Sequence, residues 1–137
     1  MTRSPGRARP ARRASHSATG MDAADVFPVP LFGLRGSCHE VVFKERGHRF
    51  VSEFFADLNY ADDGSLIIQR QHEAVDPDFA AERTLRAVRE GVTRSIGGKD
   101  VAVGAETICV HSDNPNAVEI VKAISSALGR SQNKKGE

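Results

Sequence analysis

Residues 49–60 read RFVSEFFADLNY, an apolar run that passes abruptly into acids and amides. Arg49 to Phe55 is a β-rich apolar run of strand length. Alternation sets Val51, Glu53 and Phe55 on one face and Phe50, Ser52 and Phe54 on the other, because successive strand side chains point to opposite sides. Apolar groups stand on both faces, as expected of a strand buried on both sides in a parallel sheet covered by helices. The run ends in Asp57, Asn59 and Tyr60, and Asp62, Asp63 and Gly64 then form a turn. A buried strand that finishes in acids and amides implies a polar partner at its end.

The flanking sequence supplies helices. Upstream, Ser37 to Glu40 spell S-x-x-E, a capping box in which hydroxyl and carboxylate each satisfy an orphan amide at a helix start. Cys38, Val41 and Val42 give that helix a narrow apolar stripe, and Gly47 marks its exit. Downstream, Leu66 to Ile68 form a short extended piece after the turn. Asp76 and Pro77 are an N-cap and first-position pair, and Ala81, Leu85 and Val88 share one face of the helix that follows. Glu82 with Arg86, and Arg86 with Glu90, are four apart on its solvent side; Gly91 ends it. Val92–Ile96 and Val101–Val103 read as a hairpin bent at Gly97 and Gly98. Thr107 to His111 is another short strand. Asn114 and Pro115 repeat the cap pair before a stripe of Ala117, Ile120, Val121, Ile124 and Leu128, with Gly129 closing the helix.

The order is helix, strand, an inserted helix and hairpin, strand, helix. The expected class is α/β, built of consecutive β/α units with parallel strands, flanking helices and an inserted hairpin, as in an open α/β sheet or a β/α barrel. Such folds place chemistry outside the carboxyl ends of their parallel strands, where loops and helix N-termini converge. Here those ends are Glu53, Phe55 and Asp57 running into Asn59 and Tyr60, and His111 to Asn114. A carboxylate, an imidazole and a helix N-terminus meet on one side if the two strands are neighbours.

Composition limits the alternatives. The chain has 137 residues, 19 basic and 18 acidic, for a net charge of +1, enough for one domain with its own core. Nothing in that balance draws it to nucleic acid or an anionic membrane, and no run approaches the roughly 18 apolar residues of a membrane span. The two cysteines, Cys38 and Cys109, are far apart in sequence, which fits free thiols in a reducing compartment better than a disulfide or metal site. Residues 1–27 open with Arg3, Arg7, Arg9, Arg12 and Arg13 among Ser, Ala and Pro, without hydrophobic periodicity, so a disordered basic arm is expected. Its composition is that of a transit peptide too, but Pro5 and Pro10 break the amphipathic helix that reading needs; a true start at or after Met21 is the simpler expectation. The domain is expected over 28–129, and 130–137 as a frayed tail.

Most candidate residues also have a plain structural reading. Asp113 or Asn114 is most simply a helix cap, and Asp62, Asp63 and Gly64 a turn. Glu53 in a buried strand is harder to dismiss, because an unpaired buried carboxylate is costly and needs a partner such as His or Arg. His111 is either a satisfied core histidine or a functional one. His39, His48 and His72 read as surface or helix-end residues, and no pair among the histidines has ligand spacing on one element. Neither a P-loop nor a dinucleotide fingerprint is present.

The segments EFFADLNYADDGSLIIQR and REGVTRSIGGKDVAVGAETICVHSDNPNAVEIVKAI resemble the carboxyl-terminal part of the LamB/YcsF family. The matching positions are Glu53, Phe55, Ala56, Asp57 and Tyr60, then Asp63, Gly64 and Leu66, then Ile108, Cys109, Val110, His111, Asp113 and Pro115. The resemblance implies a partial β/α-barrel-like fold and a role in ATP-dependent opening of the 5-oxoproline lactam to glutamate in the cytoplasm, with 5-oxoprolinase B and C subunits as partners and ATP as cofactor. It implies His111 and Asp57 as catalytic groups for water activation or for holding the tetrahedral intermediate, with Glu53 orienting one of them. Tyr60, Asp113 and Asn114 become substrate-binding candidates, the last two beside helix amides that can receive an anion.

Two substitutions depart from the family pattern. Leu58 stands where the family has an arginine, removing a cation that could pair with Asp57 or with substrate, and Ser112 stands where it has glycine. The family's amino-terminal half, with its D-L-N-C-D strand, is not recognisable here. A full β/α barrel takes about 250 residues, and two or three parallel strands cannot close one; an open strand edge invites pairing. The chain is therefore expected to be a fragment of a broken gene, to dimerise and so complete its sheet, or to dock on a separately encoded amino-terminal half. A non-catalytic remnant or interaction module derived from the family is the other reading.

Overall fold

The computed structural model describes residues 24–133. At its centre lies strand β2, Phe50–Phe55, flanked in parallel by β1, Leu31–Gly33, and by the strand of Thr107–Cys109. β1 pairs with the first half of β2, Leu31 opposite Phe50, and the Thr107–Cys109 strand with the second half, Glu53 opposite Thr107 and Phe55 opposite Cys109. The parallel sheet is as the apolar pattern of β2 predicts. β1 is not in that prediction: it has three residues and follows Pro28 and Pro30, which supply no amide to a ladder.

Covering of the sheet is less symmetrical than expected. Phe50 packs on Phe43 of helix α1, Cys38–Glu45, while Phe54 joins a core with Ala80, Ala87, Ile120 and Ile124. Both phenylalanines stand on the same pleat face, so helices cover that side. On the other face Val51 is buried, but Glu53 and Phe55 are half-exposed. The helix pair above Phe54 is α2, Pro77–Glu90, and α3, Ala117–Asn133.

The ends of α1 and α2 follow the sequence signals, whereas α3 starts at Ala117, two residues beyond the expected Asn114–Pro115 cap pair. At α1 the Glu40 amide donates to the Ser37 hydroxyl, and the Gly36 amide, one residue before the cap, donates to the Glu40 carboxylate at 2.6 Å. Asp76 caps α2 by accepting from the Asp78 amide, Pro77 takes the first position, and Gly91 closes the helix in the left-handed region at φ 69°. The buried face of α2 differs from the expected stripe: Ala80, Ala81, Arg83, Thr84 and Ala87 are buried and Val88 is exposed. Arg86 pairs with Glu90 as expected, but its second partner is Asp100, held bidentately at 2.8 and 2.6 Å, rather than Glu82. Gly129 does not end α3. The helix continues to Asn133, and Arg89 of α2 donates to Ser131, so a tertiary contact offsets the local cost of a helical glycine, about 1 kcal/mol.

Two hairpins bridge the main units. β3, Asn59–Tyr60, pairs with β4, Leu66–Ile67, and β5, Val92–Arg94, with β6, Asp100–Ala102, both antiparallel. The third sheet strand, Thr107–Cys109, is therefore β7. The hairpins are tied together by the Ile96 amide on the Tyr60 carbonyl and the Ser95 hydroxyl on Asp62 at 2.6 Å. Asp62 thus does more than make a turn. Of the expected arm, residues 1–23 lie outside the description; its last part is tied down by Asp25, which binds Arg46 and His48. Of the expected tail, residues 134–137 also lie outside it.

The approach to β7 is set by a contact only glycine allows. Ser52 and Glu106 exchange bonds, amide to carboxylate at 2.7 Å and amide to carbonyl at 3.0 Å, which draws the Gly104 backbone against Ser52. A methyl group on Gly104 would overlap the Ser52 side chain. Gly104→Ala is expected to destabilise by about 1–3 kcal/mol, read as a lower urea midpoint, and Ser52→Gly in the same chain should recover part of the loss. An unchanged midpoint would show that the segment shifts freely.

Tyr60 is fully buried, stacked on Phe54, and its hydroxyl oxygen accepts from the Phe55 amide at 3.0 Å. Burial, the largest cause, pushes its phenol up to about 12. The folded state therefore holds this proton more tightly than the unfolded chain, whose tyrosine titrates near 10. The stabilisation is complete below pH about 10 and is lost as pH climbs towards about 12. Tyr60 is the only tyrosine, so tyrosinate absorbance should rise near pH 12 in the folded chain and near pH 10 in denaturant; coincident curves would contradict the burial.

Candidate active site

The register of β2 against β7 places Phe55 opposite Cys109, so the chain two residues beyond each strand meets as Asp57 and His111. The Asp57 carboxylate accepts twice from one residue: from the His111 amide at 2.8 Å and from ring Nδ1 at 2.9 Å. Its side chain is wholly buried, whereas His111 is one-third exposed. Two charge-assisted bonds meet the need of a carboxylate removed from water. With the carboxylate accepting, Nδ1 carries the ring proton and Nε2 is left as an acceptor.

The ring is held on its faces as well. Phe55 stacks against it with centroids 6.1 Å apart, and His72 with centroids 5.5 Å apart. His72 was expected at the surface, but its side chain is only 13% exposed, and its Nε2 lies 3.6 Å from Asp113. Sequence spacing offered no sign of this, because His72 sits on an irregular loop with no period to read.

Beside Asp57 is a cavity of about 200 Å³ whose polar lining includes Asp57, Asn59, Gln69, His72, Glu73 and Arg83. Arg83 comes from the buried face of α2. Its Nη1 donates to the carbonyls of Leu58 at 2.9 Å and Ala56 at 3.4 Å, and its guanidinium lies 5.5–5.8 Å from the ring centroids of Phe54, Phe79 and Tyr60. Burial draws its pKa below the ordinary arginine value, while the nearby Asp57 charge works in the opposite sense. Thus the cation absent at Leu58 has a counterpart arriving from a different element. A basic residue on a helix face that reads as amphipathic gives no hint of burial.

The remaining candidates are placed differently. Glu53 is half-buried on β2 opposite Thr107 and makes no hydrogen bond to Asp57 or His111; partial exposure leaves it to water instead of the expected His or Arg. Tyr60 turns into the core. Asp113 is 71% exposed, and α3 begins only at Ala117, so it does not stand at the helix amides. Asn114 is buried, accepts from the Asn116 amide, and leaves its own Nδ2 without a partner among the described residues. Burial, with the charges of Glu53 and Asp57, pushes the Cys109 thiol up to about 11. Among the described residues no three His, Cys, Asp or Glu side chains gather to hold a metal ion, and no helix is long and apolar enough to cross a membrane.

The LamB/YcsF family matches residues 10–136. The chain belongs to the LamB/YcsF family. Its match begins well upstream of residue 28, where the resemblance had been expected to start. Relatives include a 5-oxoprolinase A subunit of Pseudomonas putida, 39% identical over 72% of this chain and 39% of the relative, and the 5-oxoprolinase A subunit of Paracidovorax citrulli, 40% identical over 90% and 49%. The crystal structure of a lactam utilization protein from Thermus thermophilus superposes with a TM-score of 0.74 at 33% identity, covering 85% of this chain and 47% of that one. This LamB/YcsF chain spans half or less of the length of these relatives.

Within this LamB/YcsF fold the Asp57 clamp is testable by itself. In Asp57→Asn, the side-chain amide presents a donor where the carboxylate had an acceptor. The expected cost is about 1–3 kcal/mol, and nitrogen NMR of the ring should show His111 passing from the Nδ1–H to the Nε2–H tautomer. An unaltered ring spectrum would mean that the stacking partners alone fix it.

Proposed function

We propose that this chain supplies the Asp57–His111 centre of a 5-oxoprolinase A component, which opens the lactam of 5-oxoproline to glutamate. The observation that carries the reading is the carboxylate-bound imidazole, with no partner on Nε2 among the described residues, whose neighbours Asp57 and His72 line a small polar cavity. The names of the relatives, 5-oxoprolinase A subunits and a lactam utilization protein, support the choice of substrate.

The chemistry assigns each group a task. Water held by His111 Nε2 adds to the ring carbonyl carbon, and the imidazole takes its proton. Asp57 keeps the ring oriented and stabilises the imidazolium that forms, as the carboxylate does in related triads. An amide is a poor electrophile, so ATP would first phosphorylate the carbonyl oxygen. When the carbon–nitrogen bond breaks, the imidazolium returns the proton to the departing ring nitrogen, and a second water releases phosphate from the resulting acyl phosphate to leave glutamate. The described residues do not fit ATP: they hold no glycine-rich phosphate loop, and the cavity is below the roughly 300–1,000 Å³ of drug-sized sites. Activation is therefore assigned to partner B and C subunits. Free Cys38 and Cys109 suit a reducing cytoplasm.

The half-exposed face of β2 and the half-length match leave room for an interaction module without its own chemistry. Reconstitution separates the two. The chain is mixed with B and C subunits, ATP and 5-oxoproline, with and without the amino-terminal half of a full-length relative, and glutamate is measured. His111→Ala should lower turnover by about 10²–10⁴-fold, with Asp57→Asn next in severity. Turnover unchanged in His111→Ala would end the catalytic assignment and favour the module.

A further inference from the structure

We propose that Arg83 is a carboxylate-binding residue: its guanidinium, in the wall of the cavity beside Asp57, seats the carboxylate of a small cyclic amide acid. The inference rests on the lactam reading above and deepens it by naming what fixes the substrate's orientation.

The first argument is an unbalanced charge. Arg83 is 9% exposed, and a buried cation is normally paired with an anion. Among the described residues no carboxylate comes within ion-pair distance of it. Nη1 is engaged by Leu58 and Ala56, while Nε and Nη2 have no protein acceptor among the described residues. A guanidinium offers five N–H donors in a planar fork. The unengaged edge can bind a carboxylate through two parallel bonds.

The second argument is rigidity. Two backbone carbonyls at the end of β2 and three aromatic rings hold the group in place, so little side-chain freedom is lost when a ligand binds. The third is the charge and size of the cavity. Asp57 and Glu73 also line it, so a phosphate dianion meets about twice the repulsion that a monoanionic carboxylate meets. About 200 Å³ is room for roughly six waters at ~30 Å³ each, suited to a five-membered ring and not to a nucleotide.

Calorimetric titration of the full chain with three probes tests the seat: 5-oxoproline, 2-pyrrolidinone, which lacks the carboxylate, and cyclopentanecarboxylate, which lacks the lactam. The wild type should prefer 5-oxoproline over 2-pyrrolidinone by about 10- to 100-fold. Arg83→Lys, which keeps the charge without the fork, and Arg83→Gln should reduce the preference to about 3-fold or less. If cyclopentanecarboxylate binds as tightly as 5-oxoproline and both are lost in Arg83→Gln, the anion seat stands and the lactam reading falls. If 5-oxoproline and 2-pyrrolidinone bind the wild type equally, the seat is overturned while the lactam reading survives; this comparison needs no variant to fold. No binding of any probe to the wild type also overturns it.

Discussion

One carboxylate organises the working end of this molecule. Asp57 accepts hydrogen bonds from both the backbone amide and ring Nδ1 of His111, so a single side chain joins the carboxyl ends of two parallel strands and orients the imidazole between them. Parallel register makes the meeting possible: with Phe55 opposite Cys109, residues two further along must face each other. Full burial makes it firm. A carboxylate out of water costs several kcal/mol if its acceptors are unmet, and two charge-assisted donors on one partner remove most of that penalty.

The same wall holds a buried cation, and the two charges are kept apart. Arg83 bonds to carbonyls at the end of β2 and lies among aromatic rings, without an ion-pair contact to Asp57. A direct pair would neutralise both groups and compete with the ring of His111 for the carboxylate. Separation leaves Asp57 committed to the imidazole and Arg83 with donors to spare. Burial then acts on Arg83 as a standing cost, which an incoming anion would relieve and which neutral ligands would not.

Much of this arrangement was legible in the sequence, for reasons that differ residue by residue. The two-faced apolar run of β2 exposed its central place, because a strand polar on one face would read as alternating. Ser37, Asp76 and Gly91 marked helix ends because capping is local chemistry. The meeting of Asp57 and His111 was legible because the carboxyl ends of neighbouring parallel strands converge. β1 escaped notice because three residues beside two prolines carry no period. His72 and Arg83 escaped for a different reason: their burial is tertiary. A loop histidine stacks only when the loop is already placed, and Arg83 turns inward because Ala80, Thr84 and Ala87 define a buried face rotated from the Ala81, Leu85 and Val88 stripe. Gly129 was misread because a contact between Arg89 and Ser131 outweighs a local stop signal.

Orientation of the Asp57–His111 pair and its isolation from water are separable here. Every group that positions His111, namely Asp57, Phe55 and His72, lies within the described chain, so the geometry requires no further element. Shielding is different. The Asp57 carboxylate is wholly buried while one-third of His111 faces outward, and the half-exposed Glu53 and Phe55 show that the sheet is open on the same strand. Electrostatic stabilisation of a tetrahedral intermediate weakens as local dielectric rises, so an open imidazole can be correctly aimed and still be slow. If the pair acts as proposed, an element laid over the Glu53 and Phe55 face would serve desolvation, because alignment of His111 already lies with Asp57, Phe55 and His72.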